Sequence, residues 1–486
     1  MIRICETTDH SLTVAAQNGP FRAARVSERF ALFLLFSLAA FAQQKTADWI
    51  WSARYVITMD ADRHVIENGA VAIGANKILA VGPRAEIDRA YKPKQRLDRP
   101  NALIAPGLID THTHAPMSLL RGIADDKRLQ DWLENYIFPA EAKNVDAEFV
   151  RWGTRLACLE MARYGTTTYT DMYYFEDVIA ETTREAGLRG VLGQTIIGFP
   201  APDYKTTDAA LRGTERYLER FKNDPLVVPA VAPHSVYTVP EDVLKASRAL
   251  ATKYNAPLLI HLSETKRENE DNIAKRGMSP TAWLESLGVL NGRTLGAHGV
   301  WLADKDLGIL AERHTGLAHC PTSNTKLASG IARVIDIHKR GIAMGLGTDG
   351  FAGSNNSADL VQEMALASKL QKVTRMDPEV LPARDALAMA TIIGARALGL
   401  QDRIGSLEAG KLADLIAVSL EGSNAVPMYD VYSTFVYALK VTNVSDVMVN
   451  GRPIVRDARV LTLNAEQIKA KAAEYRRRIW ESLQRK

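Results

Sequence analysis

The sequence predicts an α/β protein, a closed (β/α)8 TIM-type barrel carrying a small β-sandwich domain built from both chain ends. Three observations predict it. Eight short apolar segments recur, at 108–114, 166–171, 189–196, 226–234, 256–262, 294–298, 315–319 and 342–349. Amphipathic stretches separate them, among them 148–164, 177–186, 241–254 and 304–313. Strands alternating with helices make a parallel sheet, and eight such units close a barrel. The third observation is positional. His112, His114, Asp171, His234, His261, His298, His319 and Asp349 all stand at the C-terminal ends of those segments. That is the end at which such barrels carry their active sites. Six of the ten histidines occupy these positions, which scattered core histidines would not do.

In chain order, Arg22, Arg25 and Arg29 precede an apolar run, 30–42, that ends in Ala40-Phe41-Ala42. Basic residues, a short apolar run and a small-x-small site describe a signal peptide over 1–42. The run is too short for a bilayer-spanning helix, which needs about 20 apolar residues. Export to the periplasm or the medium is expected, with no stable membrane insertion after cleavage. The polar stretch before the run exceeds an ordinary n-region, so a misread extension before Val26 is the alternative.

Residues 45–105 carry short strands. Part of 49–59 alternates, and 70–73 and 78–81 are apolar runs bounded by Gly or Asn. The tail has the same texture, at 413–418 and at 447–455, where Asn450-Gly451 marks a hairpin turn. The segments 45–105 and 405–463 therefore read as one β domain around a barrel at 106–404. Residues 464–486 read as a closing helix, with Ile468, Ala472, Tyr475, Ile479 and Leu483 near helical spacing.

Charge and cysteine content exclude several classes. The formal net charge is +4. Residues 464–486 hold seven Lys/Arg against three Asp/Glu, also +4, so the remainder is near neutral and nothing argues for nucleic acid. The three cysteines, Cys5, Cys158 and Cys320, lack C-x-x-C spacing, so neither a redox pair nor a thiolate zinc site is indicated.

The chemistry starts at A-P-G-L-I-D-T-H-T-H-A-P-M-S-L-L-R-G, residues 105–122. Residues two apart on a strand share a face, so His112 and His114 can reach one point. Two neutral imidazoles converging outline a metal site, although an isolated H-x-H is also met as two surface histidines. Adding His261 and Asp349 gives four protein ligands and leaves a place for water, whose pKa a metal lowers toward neutrality. Glu264, in H-L-S-E-T, lies just beyond a strand end, where its carboxyl can face a substrate as proton donor.

On these residues the chain resembles the amidohydrolase superfamily, and within it the branch of S-adenosylhomocysteine and 5-methylthioadenosine deaminases, with triazine chlorohydrolases as relatives. The resemblance covers about 48–460. Beyond the first block it rests on P-H-S-V-Y-T, H-L-S-E-T, A-H-G-V-W-L, P-T-S-N-T-K-L-A-S-G-I-A and G-L-G-T-D-G-F-A-G-S-N-N-S, in that order. It implies that His112, His114, His261 and Asp349 bind one divalent ion, zinc ahead of iron or manganese. It implies further that Glu264 protonates a ring nitrogen, that His298 orients the hydroxide, and that Asp349 takes a proton from water. Trp132 would line the purine pocket, His234 would contact substrate, and His319 and Arg189 are candidates for substrate contact. Two-metal members carry a carbamylated lysine on the fourth strand; none lies between 226 and 237 here, so a single ion is expected.

The expected reaction is hydrolytic deamination of a heteroaromatic ring, the adenine of an adenosine derivative first. The rivals are loss of a halide or alkylamine from a triazine- or guanine-type ring, and an exported amide or dipeptide hydrolase. A barrel without catalysis predicts broken ligands, whereas every ligand position is filled. The partner is a small molecule, and a homo-oligomer remains open. The export signal makes one prediction: the mature chain begins near Gln43, and terminal sequencing that finds Met1 on soluble cytoplasmic protein contradicts it.

Overall fold

The computed structural model describes residues 44–484. The expected signal segment, 1–42, lies outside the described residues. Strands Leu108–His114, Thr166–Tyr173, Arg189–Ile196, Val227–Pro233, Leu258–Leu262, Thr294–His298 and Gly316–His319 each pair in parallel with the next. The eighth is broken. Its first half, Met344–Leu346, pairs with the seventh strand, and its second, Asp349–Gly350, pairs with the first. Gly347 and Thr348 make the break, and across it the ring closes into a barrel. Two side chains fasten the seam. Thr111 Oγ1 donates to the Leu346 carbonyl (2.8 Å), and Asp110 accepts from the Thr348 amide (3.0 Å) and hydroxyl (2.6 Å).

Helices wrap the barrel as their apolar stripes require. Helix Ala147–Arg163 starts on an Asp146 cap, which accepts from the Phe149 amide (2.7 Å), and buries Phe149, Val150, Ala157 and Met161. It presses on the turn after the first strand, where a Cβ on Gly153 would come within 2.3 Å of the Pro116 carbonyl oxygen. Only glycine permits that approach, which fixes the exit of the strand bearing His112 and His114. The tail helix Ala465–Gln484 buries Ile468, Tyr475 and Ile479 against the same helix, with Tyr475 edge-on to Phe149 at 5.7 Å.

Both chain ends join one eight-stranded sheet. Its order is Arg459–Val460, Arg452–Arg456, Val444–Val449, Leu415–Ser419, Tyr91–Pro106, Lys45–Ile57, Val65–Gly74, Lys77–Pro83. The ends meet where Leu415–Ser419 runs antiparallel to the end of Tyr91–Pro106, Leu415 opposite Pro106. The far edge then curls back: the Ile78 amide donates to the Lys411 carbonyl (2.9 Å), ahead of Leu415. Trp49, Trp51, Val71, Ile78, Leu415 and Met448 consequently share one core inside the fold of a single continuous sheet. Among the described residues no helix is long and apolar enough to cross a membrane.

Arg189 joins sheet to barrel. It opens the third strand, is fully buried, and holds Asp414 through Nε and Nη2 at 3.1 Å while Nη1 donates to the Pro225 carbonyl (2.9 Å). This corrects its expected role at the substrate. Catalytic ends lie at strand C-termini, and Arg189 starts an eight-residue strand rising about 3.3 Å per residue, so it stands at the opposite end. Removing one partner of a buried pair strands the other charge, which costs about 3–5 kcal/mol. Asp414→Ala should lower stability by that order in urea unfolding and leave the KM of the remaining folded enzyme unchanged.

Candidate metal centre and active site

Four side chains converge at the C-terminal ends of strands one, five and eight. His114 Nδ1 donates to the Met172 carbonyl (2.7 Å), and His261 Nδ1 donates to the His234 carbonyl (2.9 Å). A carbonyl only accepts, so each Nδ1 carries the proton and each Nε2 presents a lone pair. Those two Nε2 atoms face each other at 3.3 Å. His112 Nε2 is buried without a hydrogen-bond partner. Asp349 Oδ1 completes the group, 3.5 Å from His112 Nε2 and 3.4 Å from His114 Nε2. The His114 and His261 lone pairs, facing each other beside a carboxylate with no proton between them, repel unless a cation joins them. The donor set therefore fits a divalent ion, by the chemistry of the atoms present. His112, His114 and His261 form one such cluster, and His112, His298 and Asp349 an overlapping one.

Electrostatics agree. Burial lowers His112 to about 4 and His234 to about 3, and puts His261 well below the ordinary imidazole value. These rings are neutral at pH 7, the form that binds metal. Burial pushes Asp349 up, but the imidazoles of His112, His298 and His114 outweigh it and hold the carboxyl well below its usual range. Ser323 Oγ and the Gly350 amide also donate to Asp349.

The catalytic candidates flank this point. Asp349 (φ 67°) and His298 (φ 76°) both adopt left-handed backbone, which costs a non-glycine residue energy and marks side chains re-aimed at strand ends. His298 Nδ1 donates to Asn324 Oδ1 (3.0 Å), leaving the Nε2 lone pair 3.8 Å from Glu264 Oε2. Glu264 is set by a clamp: both oxygens of Glu268 accept from backbone, Ser263 at 2.9 Å and Glu264 at 2.8 Å. Burial, then the nearby Asp349 charge, raises Glu264 well above the usual carboxyl range.

A cavity opens onto these groups. His114, His234, His261, Glu264, His298, Asp349 and Trp132 all line it, and the Trp132 indole N–H donates to the Ala352 carbonyl (2.9 Å). His319 does not line it. Ala318 packs with Leu259 and Leu295 in the barrel interior, and alternation turns the next side chain away. Its ring is buried with both nitrogens unpartnered, and burial lowers it to about 3. The expected substrate contact is corrected accordingly. Residues the sequence reading passed over are Glu141, Tyr173 and Tyr174 in the wall, and Ser323, Asn324 and Asp110 behind the ligands, where Asp171, noted only as a strand-end residue, also stands. Asp171 takes hydrogen bonds from Thr113 Oγ1 (3.0 Å) and the Ala115 amide, on either side of His114. Ser323 and Asn324 sit inside the P-T-S-N-T-K block, which was the available signal.

Fold and site together define a barrel hydrolase scaffold with a histidine–carboxylate cation site at its catalytic end. The chain belongs to the Amidohydrolase family, which it matches over residues 103–454. It is 43% identical over 433 residues to a 5-methylthioadenosine/S-adenosylhomocysteine deaminase of Thermodesulfovibrio yellowstonii, covering 89% of this chain and 98% of that one. An adenosine deaminase from Xanthomonas campestris with bound zinc superposes with a TM-score of 0.88 at 37% identity, covering 90% of this chain and all of the other. An atrazine chlorohydrolase from Arthrobacter aurescens, complexed with zinc, superposes at 0.80 with 24% identity over 88% of this chain and 99% of its own, a likeness of fold.

The depressed imidazoles set a pH dependence. Protons compete with metal for a ligand as pH falls toward and below that ligand's own pKa, which for His112 is about 4. Metal content should therefore persist at about pH 5.5, where an ordinary imidazole is largely protonated, and fall near pH 4. Dialysis at stepped pH followed by elemental analysis checks this.

Proposed function

We propose that this protein is a hydrolytic deaminase acting on the adenine ring of an adenosine-type nucleoside, with one zinc ion held by His112, His114, His261 and Asp349. The observation that carries the reading is the convergence of the His112, His114 and His261 Nε2 atoms and the Asp349 carboxylate next to the buried carboxyl of Glu264. The zinc assignment draws on the imidazole-rich donor set and on the zinc bound in the Xanthomonas campestris enzyme. When bound, the ion supplies Lewis-acid activation of water.

The chain's own residues do the rest. Trp132, Leu129 and Leu133 present flat and apolar wall to a heteroaromatic ring. Glu264, protonated through burial, gives its proton to the ring nitrogen as the water oxygen bonds to the amine-bearing carbon. Asp349 accepts the water proton and returns it to the exocyclic nitrogen. The carbon–nitrogen bond then breaks and ammonia leaves, while the remaining hydroxyl proton passes to Glu264 as the carbonyl forms, so adenine and water become hypoxanthine and ammonia and Glu264 is protonated again. His298, steered by Asn324, orients the attacking oxygen, and His234, bonded to Thr238 Oγ1 (3.0 Å), meets the substrate. Release of a halide or alkylamine from another ring is the rival, since the same acid and base serve either leaving group; ammonia against chloride or amine release distinguishes them.

Glutamine keeps the shape of Glu264 but cannot donate the proton. General acid catalysis contributes about 10²–10⁴-fold, so Glu264→Gln should lose at least about a hundredfold in kcat while retaining metal. Substrate binding should change much less, because the transfer matters in the transition state. A kcat loss below about tenfold with metal retained contradicts the role.

A further inference from the structure

Glu363 is a buried carboxyl to which the proposed reaction gives no part. It stands in the first turn of helix Leu360–Arg375, is 1% exposed, and does not line the cavity. Two N–H groups take its oxygens. Oε2 accepts from the Thr322 amide (3.0 Å) and Oε1 from Asn355 Nδ2 (2.9 Å). A buried carboxyl is costly to leave unpaired, so these two bonds fix where it and its partners sit.

Both partners lead to the site. Thr322 is the second residue of helix Pro321–Lys326, whose cap position, Cys320, offers the opening amides no side-chain hydrogen bond. Glu363 supplies that acceptor from another helix. The next two residues are Ser323, which donates to Asp349 Oδ2, and Asn324, which accepts from His298 Nδ1 at 3.0 Å. Three consecutive residues of one turn thus tie Glu363 to Asp349 and His298. Asn355 makes the second route. Its Nδ2 also donates to the Thr348 carbonyl (2.8 Å), and its amide donates to the Gly350 carbonyl (3.0 Å). Those carbonyls flank Asp349, whose left-handed backbone (φ 67°) is costly unless its surroundings hold it.

Resting on the deaminase reading above, we infer that Glu363 is a positioning residue of this site. Without touching substrate, it sets the turn 322–324 and the backbone around Asp349, so that Asp349 and His298 meet the attacking water in one geometry. Glutamine tests this because it keeps the size of the side chain and replaces one acceptor by a donor. Its amide nitrogen must face either the Thr322 N–H or the Asn355 amide nitrogen. Turning Asn355 over relieves the second clash but takes Nδ2 from the Thr348 carbonyl. Every arrangement therefore loses a hydrogen bond on one route to the site.

The experiment compares Glu363→Gln with Asp224→Asn in the metal-loaded full chain. Asp224 likewise accepts from two backbone amides, Leu226 (2.9 Å) and Val227 (3.0 Å), but ahead of the fourth strand, at the end of the barrel away from the site. Misplacing reacting groups by about 1 Å costs about 100-fold. Glu363→Gln should lose at least about tenfold in kcat per bound metal, with KM changed less than about threefold because the cavity wall is untouched. Amide exchange read by mass spectrometry should quicken in 320–327 and 344–350 and stay as it was in 189–196. Asp224→Asn should melt at a lower temperature with kcat unchanged. A Glu363→Gln enzyme that behaves like Asp224→Asn, or whose loss lies in KM, overturns the inference. Should Glu363→Gln not fold, Asn355→Ala breaks the second route alone and is read in the same way. A wild type inert toward adenine nucleosides overturns the deaminase reading instead. Exchange then judges Glu363 by itself, unchanged in 320–327 against the inference and quickened for it.

Discussion

The carboxyl of Asp110 holds the place on which the site depends. It accepts from the His112 amide at 3.2 Å on the first strand and from the Thr348 amide and hydroxyl on the eighth. His112 and Asp349 are thereby brought to one another across the interrupted eighth strand of the barrel. Burial pushes this carboxyl up to about 7, against three hydrogen bonds that favour its charged form. A barrel seam could close through ladder hydrogen bonds alone. This one is broken at Gly347 and Thr348, and a side chain takes over, beside which Asp349 adopts a left-handed backbone (φ 67°).

Around that seam the ligands are oriented by groups that only accept. Backbone carbonyls of Met172 and His234 fix two imidazole tautomers, so the free nitrogen of each must point at the centre. The backbone supplying them comes from neighbouring strands, so the site's geometry follows from the barrel's register. The helix Pro321–Lys326 adds a second layer through Ser323 to Asp349 and Asn324 to His298. The candidate ligands, Glu264 and His298 are thus positioned by one scaffold, with the apolar wall of the cavity carried on the turn and short helices that follow the first strand.

Much of this was legible in the sequence because period and placement carry it. Eight apolar segments with polar ends announce a barrel, and His112 and His114 announce a shared point. What was not legible depended on which end or face a residue takes. Arg189 reads as a cation near a substrate until its strand is seen to begin there, with Asp414 of the other sheet as its partner. His319 sits at a strand end like the true lining histidines, but one step of alternation turns it away. Glu141 gave no signal at all, because its importance comes from a cavity wall assembled with Tyr173, 32 residues further on. The broken eighth strand was read as one segment, since an apolar run does not record a two-residue interruption.

In the proposed function three imidazoles and one carboxylate hold a single ion beside Glu264. X-ray absorption at the metal edge of the purified protein tests it most directly. A zinc edge is expected, with a first shell of nitrogen and oxygen and imidazole outer-shell scattering. A sulfur shell, or a metal–metal distance of about 3.5–4 Å, would contradict it.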